Sequence, residues 1–358
     1  MLTCFNITQQ GQSHTDRGIP CQDFSTVHRM IHPGTGREIL IAAIADGVGA
    51  CLYSHLGART AVESAVLCLR GILEEAECAF FETDEAFTDA LRCSFGCALD
   101  SVAELAALLK LPEGEFDSTL TVAVYDGEDL RYGHIGDDGI VVLYCDGTYE
   151  MITRRHKGEE VMFVMPLTEK EFWEFGRTRR KTAAFAMMTD GVLDHCVDGE
   201  AMHSRVYFPF LKPALAVPMF TEEDTATAKA DWEEYLAGSG QYPVNFRREV
   251  TDDITFAVIQ NPDAVSCLPD IKFDYEQWQE ESRRRAEELN EILYADFREY
   301  QNRRQRKKES AEETVLVPEI PVPSSFFRKK HFAGGRSRRR HGFPGVRKKR
   351  GHCASYRK

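Results

Sequence analysis

Three apolar runs of strand length each touch an acidic turn. Ile39–Ala45 runs into Asp46, Ala183–Met188 reaches Asp190 through Thr189, and Phe256–Ile259 leaves the turn Thr251-Asp252-Asp253-Ile254-Thr255. A fourth acidic turn, Cys21-Gln22-Asp23, precedes another strand-like segment. A carboxylate at the tip of a buried strand is fixed by the sheet yet open to solvent. Several such tips meeting in space make an oxygen-rich cage suited to hard divalent cations.

The rest of the first 260 residues limits the architecture further. Phe24–Met30 alternates like a strand, and Pro33-Gly34-Thr35-Gly36 turns it back into Ile39–Ala45, a hairpin pattern. Two helical stretches follow, about Leu56–Glu77 and Thr83–Leu109, with apolar residues recurring at three and four. Ser118–Tyr125 and Leu130–Ile135 flank Asp126-Gly127, while Ile140–Tyr144 and Tyr149–Ile152 flank Asp146-Gly147. Strand, Asp-Gly turn, strand is a hairpin signature. Repeated hairpins point to antiparallel sheets rather than a doubly wound parallel one. A helix pair between two strand groups suits helices layered outside two sheets. A further helix is expected over Thr225–Leu236, before Gly238-Ser239-Gly240.

The net charge of −13 hides a polarised chain of 358 residues. Phe326–Lys358 holds 13 Lys or Arg and no acid, whereas the preceding 325 residues hold 31 basic and 57 acidic side chains. A tail of that composition reads as disordered. The prolines 318, 321 and 323 precede it. Between lie a Pro-containing linker at 262–275 and a charged helix from Tyr275 to about Lys308. Its seam is Ala286, Leu289, Leu293, Phe297 and Tyr300, expected to pack on the globular domain in preference to a partner. The expected organisation is 1–261 for a catalytic domain, 262–310 for linker and charged helix, and 311–358 for a disordered basic tail. No run of about 18 apolar residues and no secretory leader pattern is present, so a cytoplasmic setting is expected. The 11 cysteines are odd in number and scattered, with no zinc spacing, and read mostly as small buried side chains.

A set of six motifs is far more specific than any single Asp-Gly pair. They are Gly11-Gln12-Ser13-His14 with Pro20-Cys21-Gln22-Asp23, Ile44-Ala45-Asp46-Gly47-Val48-Gly49, and Ser118-Thr119-Leu120-Thr121-Val122-Ala123. Then come Gly133-His134-Ile135-Gly136-Asp137-Asp138, Met188-Thr189-Asp190-Gly191-Val192 and Asp252-Asp253-Ile254-Thr255-Phe256. In this order the set resembles the metal-dependent, protein phosphatase 2C-like family, in its compact bacterial branch, over residues 1–260. The resemblance implies an α+β fold, a four-layer α-β-β-α sandwich of two antiparallel sheets. It implies two Mn²⁺ or Mg²⁺ ions, with Asp46 bridging and the Gly47 carbonyl on one of them. Asp190 and Asp252 complete the other's protein ligands, and Asp23 holds waters from outside. Asp137, with Asp190, matches a place for a weaker third ion. The implied reaction is hydrolysis of phosphoserine or phosphothreonine monoesters in proteins by water activated between the ions.

The chain departs from the family in four places. Gln22 stands where many members have Glu, and Val48 where eukaryotic members have His, leaving the leaving-group acid unassigned. Gly18 occupies the place of the phosphate-gripping Arg; Arg17 or His14 is either the substitute or a plain surface residue. Asp138, where the family often has Ser, reads as a solvated turn residue. His134 and His195 read as structural, and His156 belongs to the basic patch Arg154–Lys157. The rival reading is a catalytically weak regulatory or binding module of the same fold. Its basic tail would contact an anionic partner or the acidic domain.

Overall fold

A computed structural model describes residues 1–76, 83–156, 164–198, 205–238 and 250–288, with five single positions up to 302. Residues Met1–Arg284 form one compact unit and Arg285–Lys358 a second. The basic tail and the seam positions Leu289, Leu293, Phe297 and Tyr300 lie outside the described residues.

The first unit is built on two five-stranded antiparallel sheets. One contains β1 (Thr3–Gln9), β6 (Gly139–Tyr144), β7 (Tyr149–Met151), β9 (Thr182–Met188) and β12 (Ile254–Gln260), in the order β1-β12-β9-β6-β7. The other runs β2-β3-β4-β5-β8, from β2 (Phe24–Ile31), β3 (Glu38–Ala45), β4 (Leu120–Tyr125), β5 (Leu130–Ile135) and β8 (Glu174–Arg177). A two-residue pair, β10 (Val197–Asp198) with β11 (Arg205–Val206), stands apart.

The sheets face each other through Leu40, Ala42, Ile44, Ala123 and Tyr125 on one side and Val142, Phe185, Met187, Ala257 and Ile259 on the other. The alternate residues of β3, Ile39, Ile41, Ala43 and Ala45, pack outward on α2 (Ser54–Glu75) and α3 (Asp84–Leu109). Both faces of β3 are therefore covered, which explains an apolar run without alternation. On the opposite flank α4 (Asp190–Cys196), α5 (Phe208–Leu215) and α6 (Glu222–Leu236) cover the outer face of the first sheet. The four layers are the expected α-β-β-α sandwich. Thr221 caps α6 through a reciprocal bond with Asp224, which explains its sharp start.

From β12 to Arg284 the chain still belongs to this unit. A short helix, Pro262–Ser266, is capped by Asn261. The rings of Phe273 and Trp278 then lie 5.3 and 5.4 Å from that of Tyr207. Arg205 stacks over Trp278 at 4.4 Å. No helix among the described residues is long and apolar enough to cross a membrane.

The cysteines depart from expectation. Of the nine described, only Cys196 is buried, and Cys93, Cys145 and Cys267 are exposed. Local apolar context does not fix burial on a helix, because successive side chains turn by about 100° around its axis.

Candidate metal centre

Strand ends carry the acidic groups, and backbone bonding fixes each one. Asp46 leaves β3 with its N–H donating to Thr119 Oγ1 at 2.8 Å, while its carbonyl accepts the Thr119 N–H at 2.8 Å. Asp137 sits in the β5–β6 turn after Gly136, whose φ of +117° is open to glycine; a Cβ there would lie 2.4 Å from Thr119 Cγ2. Asp190 opens α4 directly after β9. One carboxylate oxygen from each of Asp46, Asp137 and Asp190 lies within 4.8 Å of the others. Residues 91 and 53 positions apart in sequence thus share one site.

Asp23 lies beside this group, almost fully buried. Its Oδ2 accepts the Thr189 hydroxyl at 2.7 Å. Burial pushes the Asp23 carboxyl up to about 8; the Thr189 bond opposes this, and Asp253 and Asp190 add repulsion. Asp46 is held well above the usual carboxylate range by burial first, then by Asp23, Asp190, Asp138 and Asp137. Carboxyls so crowded retain protons unless a cation neutralises them. A divalent ion would remove both the repulsion and the protons. With oxygen donors only, the set fits Mg²⁺ or Mn²⁺ rather than a thiophilic metal.

Asp138 corrects the sequence reading. It is fully buried, not a solvated turn residue. Its Oδ2 accepts Thr119 Oγ1 at 2.6 Å and Thr121 Oγ1 at 3.3 Å, and its buried Oδ1 has no hydrogen-bond partner. Burial raises its pKa well above the ordinary value, with Thr119 opposing and Asp137 adding to the rise. An orphaned carboxylate oxygen among acids is a further sign that the site is shaped for positive charge. No spacing rule separates Asp138 from an ordinary turn aspartate; its burial comes from the inward course of β6.

The other expected site residues fall into different roles. Gly47 donates its N–H to the Gln22 carbonyl at 3.1 Å, and a Cβ there would meet Ser54 at 2.8 Å. Asp252 is not in the three-carboxylate cluster. Its side chain is 62% exposed, with Oδ1 3.9 Å from His14 Nε2. Asp253 is the buried member of the pair. It accepts the Gly11 N–H at 2.6 Å, the Gln22 N–H at 2.5 Å and His14 Nδ1 at 2.9 Å. His14 is thus engaged in tying the α1 helix (Gln12–Arg17) to this turn. Arg17 is exposed and bonds the Ser13 carbonyl through Nε at 2.9 Å. His134 is buried between Thr121 Oγ1 at 2.8 Å and the Arg154 carbonyl at 2.8 Å, with its pKa lowered to about 4 by burial and by His156.

A family model described as protein phosphatase 2C matches residues 10–234. The chain belongs to the protein phosphatase 2C family. That match spans Asp23, Asp46, Asp137 and Asp190 and ends before the Thr251–Thr255 turn. Among solved structures, the chain is similar to a bacterial serine phosphatase at 14% identity and TM-score 0.49, covering 76% of this chain and 99% of that one. Serine/threonine phosphatase Stp1 from Staphylococcus aureus is similar at 14% identity and TM-score 0.48, over 73% and 95% of the two chains. The catalytic domain of the serine threonine protein phosphatase PstP, solved with two manganese ions, is similar at 18% identity and TM-score 0.46, over 72% and 97%. No curated protein matches the chain.

Proposed function

We propose that this phosphatase 2C-family protein hydrolyses phosphoserine and phosphothreonine monoesters in proteins, with residues 1–261 as the catalytic domain. The observation that carries the reading is the meeting of Asp46, Asp137 and Asp190 oxygens within 4.8 Å at one end of the sandwich. In this reading Asp46, Asp190 and Asp137, with the Gly47 carbonyl, hold Mn²⁺ or Mg²⁺. Asp252, exposed in the adjoining turn, is the remaining candidate ligand. Such ions, when bound, lower the pKa of water and neutralise charge on phosphoryl oxygens.

The chain's own residues supply position and charge. Asp23 stands behind the cluster, oriented by Thr189, and offers a buried acceptor to ordered water. Thr119 fixes Asp46 through two backbone bonds and joins it to Asp138. Asp253 and His14 lock the turn that carries Asp252. Arg17, exposed on the same short helix as His14, is the basic side chain offered to substrate phosphate.

The test is hydrolysis of a phosphothreonine peptide by the full chain with Mn²⁺ added or chelated. Asp46→Asn and Asp190→Asn should abolish turnover while preserving the circular dichroism spectrum. Turnover that survives either substitution would refute the assignment.

A further inference from the structure

A second cluster of ligating side chains lies away from the acidic site, and its chemistry is opposite. Cys68 on α2 and Cys93 and Cys97 on α3 place their sulfurs within 4.8 Å of one another. Cys93 and Cys97 are four residues apart, so they share one face of α3, and Cys68 reaches them from the neighbouring helix. The Cys68 and Cys93 sulfurs are 4.0 Å apart. A tetrahedral or trigonal thiolate site with Zn–S bonds of about 2.3 Å requires sulfurs about 3.8–4.0 Å apart. A disulfide requires about 2.05 Å. The 4.0 Å between the Cys68 and Cys93 sulfurs fits two ligands around one ion as well as an S–H···S contact, and it is too long for a disulfide.

We propose that Cys68, Cys93 and Cys97 form a three-thiolate site for a soft, thiophilic cation of the zinc type. Its fourth position faces solvent and takes water.

Exposure supports the assignment. Cys93 is exposed while Cys68 and Cys97 are half-buried, so an ion can enter from the surface and be gripped from below. Burial raises the Cys68 thiol, and the Cys97 and Cys93 sulfurs raise it further. A bound cation reverses that repulsion, and each coordinating thiol releases its proton to solvent. Soft sulfur ligands and hard carboxylates select different metals, so the two sites need not compete. The ion would link α2 to α3, the helix pair that covers the outer face of the β2-β3-β4-β5-β8 sheet. No local spacing announces this cluster, because its members come from two helices.

The test uses the full chain, reduced with a phosphine and held in excess Mg²⁺ to occupy the carboxylates. Cadmium titration should give a near-ultraviolet thiolate charge-transfer band of three-thiolate intensity that saturates at one equivalent and is displaced by Zn²⁺. Cys93→Ser, an exposed substitution, should weaken binding by at least about ten-fold. In the unsubstituted protein, Zn²⁺ should slow alkylation of Cys68, Cys93 and Cys97 together, read by peptide mass spectrometry. The exposed Cys145 and Cys267 should react at unchanged rates. Absence of the band, its persistence in the triple serine variant, or alkylation of the three cysteines indifferent to Zn²⁺ would each overturn the proposal.

Discussion

Thr189 Oγ1 donates to Asp23 Oδ2 at 2.7 Å, which ties the end of β9 in one sheet to the turn entering β2 in the other. The same hydroxyl oxygen accepts the Thr255 N–H at 3.0 Å, so one side chain joins three segments at the mouth of the sandwich. The carboxylates converge because the strand ends are cross-linked there, not because the aspartates attract one another.

Replacing Thr189 with Val keeps shape and removes both bonds. It leaves the Thr255 N–H and Asp23 buried without this partner, at a cost of about 1–3 kcal/mol. Denaturant unfolding should show that loss. Calorimetric titration should show weaker Mn²⁺ binding, since Asp23 is no longer aimed.

Without cations, stability should depend on pH with a definite sign. Asp23 rises from 3.8 to about 8 in the folded protein, so its contribution is complete in acid and is lost as pH climbs through about 8. His134 falls from 6.5 to about 4, so its contribution is complete above 6.5 and is lost as pH drops toward 4. The two oppose each other in the acid range; from pH 6.5 to 8 the histidine no longer contributes a change, and the raised Asp46 and Asp138 carboxyls act in the same direction as Asp23. The Tm of chelator-treated protein should therefore fall across that interval, and saturating Mg²⁺ should flatten the fall.

Asp138→Asn separates charge from shape. Asn can still accept from Thr119, and it removes a buried carboxyl whose raised pKa lowers stability at neutral pH when no cation is bound. The metal-free protein should melt at a higher temperature, while Mn²⁺ affinity should drop by about 10–100-fold.

Two glycine substitutions should move in opposite directions. At Gly191 a Cβ would lie 2.1 Å from the Asp253 carbonyl oxygen, displacing the turn held by His14 and Gln22. Gly191→Ala should cost about 1–3 kcal/mol and reduce turnover. Gly71, inside α2, has nothing within 4 Å of its Cβ position. Gly71→Ala should stabilise by up to about 1 kcal/mol, as thermal unfolding would show, with activity unchanged.

Much of this arrangement was legible in the chain. Ile39–Ala45 and Ala183–Met188 read as buried strands because both faces of each are covered. Asp-Gly pairs marked the β4–β5 and β6–β7 hairpins, where Gly127 and Gly147 take positive φ. What escaped was whatever depends on contacts across layers. Asp138 looks like any turn aspartate until β6 carries it inward. Asp252 and Asp253 are adjacent and chemically identical, and only the tertiary position of His14 and Gly11 decides which one is buried. Cys68 and Cys93 lie 25 residues apart on separate helices, with no motif to join them.

The most direct test is Mn²⁺ titration of the chelator-stripped full chain by calorimetry, with Asp46→Asn in parallel and phosphothreonine-peptide hydrolysis followed on the same samples. Mn²⁺ binding and turnover should rise together, and both should be lost in Asp46→Asn. Full turnover by the stripped protein, or undiminished Mn²⁺ binding in Asp46→Asn, would contradict the metal-centre assignment.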